Sequence, residues 1–173
     1  MQIFDLTTDN NPTYWDDAAF NEAKAICDLV NDDDVFLHQI REHFDLMVDR
    51  WFSDIRALAN PNNTEGLIAD WQKLGQLTLQ WGFHSYYLVT LNTLANTLIK
   101  KQRDYGHENI ARFGRQGLLI RVHDKIARLE NLTKVARSYE AQNESIIDTV
   151  LDIAGYSTIG VMWERGTFLL PLK

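Results

Sequence analysis

Residues 36–55 read FLHQIREHFDLMVDRWFSDI, and the spacing of their apolar side chains decides the fold. Phe36, Leu37, Ile40, Phe44, Met47, Val48, Trp51, Phe52 and Ile55 recur at steps of three and four. That is the period of an α-helix with one buried face. Asp32-Asp33-Asp34 stands just ahead of this run as a cap and acidic first turn, which suits the positive end of a helix dipole. The spacing predicts a helix to about Ala59, where Asn60-Pro61-Asn62-Asn63 breaks it. Upstream, residues 1–15 read as an irregular arm with a turn at Asn10-Asn11-Pro12. Asp16 to about Asn31 reads as a short helix carrying Ala18, Ala19, Ala23, Ile26, Leu29 and Val30 on its apolar side.

The helical period continues downstream. Thr64 and Glu65 open a third stretch through Leu67, Ile68, Trp71, Leu74, Leu77 and Leu79, with Trp81-Gly82-Phe83 as a kink or a split. It resumes through Tyr86, Leu88, Leu91, Leu94, Leu98 and Ile99 to Lys101, and Asp104-Tyr105-Gly106 reads as its exit, glycine supplying a left-handed cap. A loop follows to about Gly117, with a short turn at Ile110 to Phe113. A fourth helix is predicted over Leu118 to about Ser138, and a fifth from Asn143 or Glu144 to about Trp163. Residues 164–173 read as a docking tail. Strand alternation, internal repeats and low-complexity tracts are absent, so the expected architecture is an all-α bundle of five or six helices, treated as one domain over 1–173.

The 173 residues are 45% hydrophobic and 24% charged, ordinary values for a folded domain that buries its own core. A single cysteine, Cys27, excludes an internal disulfide and a cysteine-built zinc site, and points to a reducing, cytoplasmic setting. Neither a secretory leader nor an uninterrupted run of ~18 apolar residues stands out, so no membrane association is expected. The net charge of −7 argues against direct binding of a nucleic-acid backbone. That charge is uneven: residues 1–100 carry a net −9 and residues 101–173 a net +2, with nine bases against four acids over 101–137. A basic window in an acidic chain suits a small anion, whereas a solvated helical face is the plainer reading.

Chemistry-bearing residues cluster in three places. At about 100° per residue, Arg121, Asp124, Lys125 and Arg128 share one arc of the fourth helix. In the fifth, Glu144, Asp148 and Asp152 follow at i, i+4 and i+8 with no base between them. Like charges so spaced repel, and the column calls for a counter-charge: the bases of the preceding helix, a divalent cation, or both. The third cluster is Lys101-Gln102-Arg103-Asp104-Tyr105-Gly106-His107-Glu108-Asn109, a cationic helix end next to donor side chains. The five histidines show no metal spacing, and most aromatics read as core.

Three ordered motifs carry a resemblance. Lys101-x-x-Asp104-Tyr105-Gly106-x-x-Asn109, then Gly117-Leu118-Leu119-Ile120-Arg121-x-x-Asp124-Lys125-x-x-Arg128-Leu129-x-Asn131-Leu132, then Glu144-Ser145-x-x-Asp148-Thr149-x-x-Asp152-x-Ala154-Gly155-Tyr156 together resemble the nucleotide-modification-associated domain family 1. That family occurs largely in phages and bacteria and is grouped with the MazG-like all-α nucleoside triphosphate pyrophosphohydrolases. The resemblance covers about residues 95–163 and leaves 1–94 unassigned. It implies a MazG-like core, a nucleotide ligand such as a deoxynucleoside triphosphate, and bound Mg²⁺, and it admits a homodimer. Carried over, Glu144, Asp148, Asp152 and Asp124 would be metal ligands, with Asp124, Lys125, Glu144 and Asp148 as the catalytic set. Lys101, Arg121, Lys125 and Arg128 would meet phosphate, Tyr105 or Tyr156 a base, Asn109 base or sugar, and Asp104 would belong to the binding segment. The chain departs from the superfamily's E-x-x-E pair, having Arg121-x-x-Asp124 there, and its acids are spaced by four. Metal-dependent release of pyrophosphate is the implied activity. A non-hydrolytic nucleotide or second-messenger binder and a structural or partner-binding helical protein compete with it.

Overall fold

The computed structural model describes residues 10–52, 64–83, 87–134 and 139–173, with side chains for all of these except 87–89 and 139–143. Among these residues seven helices follow in chain order: α1 (Trp15–Leu29), α2 (Leu37–Trp51), α3 (Thr64–Gly82), α4 (Tyr87–Tyr105), α5 (Glu108–Ala111), α6 (Gly114–Lys134) and α7 (Tyr139–Arg165). No strand occurs among the described residues, and the chain is an all-α bundle.

Among the described residues the count is one more than the upper expectation. The third stretch is split, as Trp81-Gly82-Phe83 allowed, with α3 ending at Gly82 and α4 starting at Tyr87. The expected turn near Ile110 closes as the single helical turn α5. The Asp32-Asp33-Asp34 run does not cap α2: it lies in the preceding loop, and the Gln39 side chain reaches back to the Phe36 N–H at 2.7 Å. Helix α6 starts four residues early, at Gly114, and α7 starts at Tyr139. The 1–9 arm, the end of the second helix, the Asn60–Asn63 break, His84 and residues 135–138 lie outside the described residues.

Helix α7 is the centre of the bundle. It packs most extensively on α3, then on α6, and also meets α1 and α4. A helix touched on several sides must be apolar all round, and Val150, Leu151, Ile153, Ala154, Ile159, Val161 and Met162 are all buried. Over Glu144–Arg165 it is long and apolar enough to cross a membrane, but 67% of its most apolar window is buried inside the bundle. Ser157, Thr158 and Gly160 punctuate the stretch, so no uninterrupted apolar run marks it in the sequence. The buried Ser157 and Thr158 hydroxyls donate to the carbonyls of Ile153 and Ala154 one turn back, at 2.9 Å each, so neither is left unbonded.

The C-terminal tail docks as expected. The Trp15 N–H donates to Pro171 at 2.8 Å, the Lys173 ammonium meets Asp17 at 2.6 Å, and Asp16 accepts both from Arg103 and from the Lys173 N–H at 3.0 Å. Phe168 is buried against Trp15, Trp163 and His107. Cys27 is buried, and burial, reinforced by neighbouring Asp28, pushes its thiol up to about 12, which keeps it unreactive at neutral pH.

Candidate functional site

Helices α4, α5, α6 and α7 line a cavity of about 250 Å³ that is open to solvent on one side. Its polar wall comes from Lys101, Gln102 and Tyr105 of α4, Asn109 of α5, Arg121 and Lys125 of α6, and Asp152 and Tyr156 of α7. Leu94, Leu98, Leu151 and Ile159 supply the apolar part. The helical period explains the selection. Lys101 and Tyr105, Arg121 and Lys125, and Asp152 and Tyr156 are each i, i+4 pairs, so each helix presents two polar side chains one turn apart to the same space. Gly155, between the last pair, opens α7 to close approach: a Cβ there would stand 3.1 Å from Leu98.

Asp152 is the electrostatic centre. Oδ1 accepts from the Lys101 ammonium at 2.5 Å and Oδ2 from the Lys125 ammonium at 2.8 Å, so each oxygen holds one lysine. Burial by itself would raise this carboxyl, but the hydrogen bonds from Lys101 and Lys125, with their positive charges, outweigh it and hold Asp152 below the ordinary carboxylate range. Arg121 donates to the Asn109 carbonyl at 3.2 Å, a neutral acceptor that leaves its charge intact. Three cations therefore face one carboxylate. The side-chain Oδ1 of Asn109 is buried with no hydrogen-bond partner.

The back of the site is tied to the tail. The Leu170 carbonyl can only accept, so His107 Nε2 carries the proton and donates to it at 2.8 Å. His107 Nδ1 then accepts from Gln102 Nε2 at 2.5 Å, and Gln102 also donates to the Gly106 carbonyl at 3.0 Å. Gly106 has φ +68°, the left-handed exit that its sequence position predicts. The turn from α4 to α5 is thereby fixed, and with it Asn109.

Seven of the twelve residues singled out in the sequence line this cavity: Lys101, Tyr105, Asn109, Arg121, Lys125, Asp152 and Tyr156. Five do not. Asp104, Asp124, Arg128, Glu144 and Asp148 are exposed and absent from its wall. Asp124 is rotated about 100° from Lys125 around α6. Asp148 and Glu144 lie about 6 and 12 Å further up the α7 axis than Asp152, whereas the cavity extends the other way, toward Ile159. Thr97 belongs to the wall and escaped the sequence reading, and Gln102, named there within the third cluster, had no role assigned. The signal for Gln102 was a polar residue directly after Lys101, with Leu94, Leu98 and Lys101 already marking the same helix face.

This geometry bears on the Mg²⁺ set. Magnesium asks for one or two free carboxylates together with waters and phosphate oxygens. Among the described residues Asp152 is the only carboxylate on the wall, and both its oxygens are taken by ammonium groups. No group of three or more His, Cys, Asp or Glu residues able to hold a metal occurs among the described residues. The set Glu144, Asp148, Asp152 and Asp124 does not fit a resident ion at this cavity. Comparison with family models, curated proteins and solved structures finds no match to this chain.

Proposed function

We propose that the cavity between α4, α5, α6 and α7 binds a small phosphorylated ligand of the nucleotide class. The observation that carries this reading is the convergence of Lys101, Lys125 and Arg121 from two helices on one cleft, with only Asp152 opposing them among the described residues. Lysine offers phosphate a compact point charge and arginine a planar fork of donors. Tyr105 and Tyr156 flank the same space, and the apolar wall suits the flat face of a base or a sugar edge. The resemblance of residues 95–163 to a nucleotide-modification-associated family supports the choice of nucleotide over other phosphate esters.

Binding is better supported than Mg²⁺-dependent pyrophosphohydrolysis. The hydrolytic reading rests on the family resemblance and needs ligands that lie off the wall. One experiment separates the two. The protein is incubated with each ribo- and deoxynucleoside triphosphate in Mg²⁺ while pyrophosphate is followed, and thermal shift is read in parallel on nucleoside mono-, di- and triphosphates. Ligand-dependent stabilisation without pyrophosphate is the expected result. Turnover would reinstate the hydrolase, and the absence of any shift would leave a partner-binding scaffold.

A further inference from the structure

We infer that the cavity selects a ligand bearing a single phosphate, of the nucleoside monophosphate class, and that Asp152 is the residue enforcing the selection. This rests on the nucleotide-pocket reading above. Lys101, Lys125 and Arg121 against Asp152 leave the wall with a net of two positive charges. A phosphate monoester carries about −1.5 to −2 at pH 7, which this wall neutralises. A free triphosphate brings more negative charge than the cations compensate, and its surplus would stand against the Asp152 carboxylate, which the two lysines keep ionised and in place. A fixed like charge inside a pocket is a device for rejecting the wrong ligand.

Size and the rest of the wall agree. The cavity, at about 250 Å³, falls below the ~300–1,000 Å³ usual for drug-sized ligands, so it favours the shorter molecule. Tyr105, Tyr156 and the apolar wall offer contact to a base or sugar, a part that inorganic phosphate lacks. The ligand thus places phosphate among Lys101, Lys125 and Arg121 and its base or sugar against the tyrosines and the apolar wall, with Asp152 as specificity residue between the lysines.

The test is titration calorimetry in EDTA, which keeps triphosphates fully charged, with matched mono- and triphosphates of each nucleoside and with inorganic phosphate. Monophosphates are expected to bind at least tenfold more tightly than the corresponding triphosphates and than inorganic phosphate. Asp152→Asn, checked for native helicity by circular dichroism, is expected to improve triphosphate affinity at least tenfold and remove the preference. Triphosphates binding as tightly as monophosphates in the parent would overturn the inference and leave the nucleotide pocket standing. A preference that survives Asp152→Asn would overturn the role of Asp152. Binding by no nucleotide of any length would overturn the pocket reading itself.

Discussion

Gly160 of α7 lies against the indole of Trp71 of α3, so that a Cβ at position 160 would overlap ring atoms Cδ2 and Cε2. Trp71 is wholly buried and has nowhere to move. The same crossing brings Gly75 against Ile26 and Ser157. Close approach of α3 and α7 therefore depends on missing side chains, and it seats the helix that carries Asp152 and Tyr156.

Gly160→Ala should destabilise the protein by roughly 1–3 kcal/mol through overpacking, in spite of alanine's better helix propensity. Thermal unfolding should show a drop of about 2–4 °C per kcal/mol for a chain of this length. Gly66→Ala is the control: that exposed helical position has its nearest neighbour, the Trp51 ring, 3.8 Å away, so the change should stabilise by about 0.5–1 kcal/mol. Equal melting temperatures for the two variants would contradict the tight crossing.

Asp152 couples the site to acid stability. Its carboxyl is held below its unfolded value of about 3.9, so its contribution is fully present above that pH and is lost as pH falls through the lower folded value. Asp152→Asn should cost about 1 kcal/mol at pH 7, a modest figure because the Lys101 side chain is half exposed. Denaturant titrations at a series of pH values should show the parent and variant curves converging as pH falls below the ordinary carboxylate range. A gap that is constant with pH would mean that the ion pairs contribute nothing.

His43 sets a second pH dependence, far from the cavity. Its Nε2 donates to the Asp70 carbonyl at 2.8 Å, and burial lowers its proton affinity more than that bond and the Asp70 charge raise it, with Lys73 and Arg50 lowering it further. The unfolded chain then binds the extra proton more readily. Stability attached to His43 is present above its unfolded value of about 6.5 and falls as pH drops through the folded value. Parent melting temperature should decline from pH 7 to pH 5 more steeply than that of His43→Gln, whose amide can still donate to Asp70. Parallel declines would remove His43 from the account.

Arg115 and Glu164 pin the start of α6 to the end of α7 through two hydrogen bonds, Nε to Oε1 at 2.8 Å and Nη2 to Oε2 at 2.7 Å. Both side chains are largely buried, so removing one strands the other. Glu164→Leu alone should cost about 3–5 kcal/mol, whereas Arg115→Met with Glu164→Leu should recover most of that loss. Chemical denaturation of the two variants decides it. A double variant no more stable than the single one would show that the pair is held for more than mutual neutralisation.

Helix existence and type were legible because each apolar stripe is local: Ile40, Phe44, Met47 and Trp51 announce a buried face, and all four are buried. Gly106 announced an exit and takes the positive φ that only a residue without a Cβ adopts freely. Caps and ends were less legible. Asp32-Asp33-Asp34 has the right chemistry for a cap, but Gln39 satisfies the Phe36 N–H from inside the helix.

The sequence by itself determined an all-α chain and the one-dimensional order of its charges, since both follow from residue type and a fixed rotation per residue. It also marked Lys101, Arg121, Lys125 and Asp152 as polar side chains on helices with apolar backs. Only the tertiary structure decided which charges meet. Glu144, Asp148 and Asp152 share one side of α7, yet the cavity opens beside Asp152 and runs toward Ile159, leaving the other two in solvent. Helical spacing fixes where a side chain points around its own axis, and the relative height and tilt of neighbouring helices, set by contacts such as Gly160 on Trp71, fix what it points at.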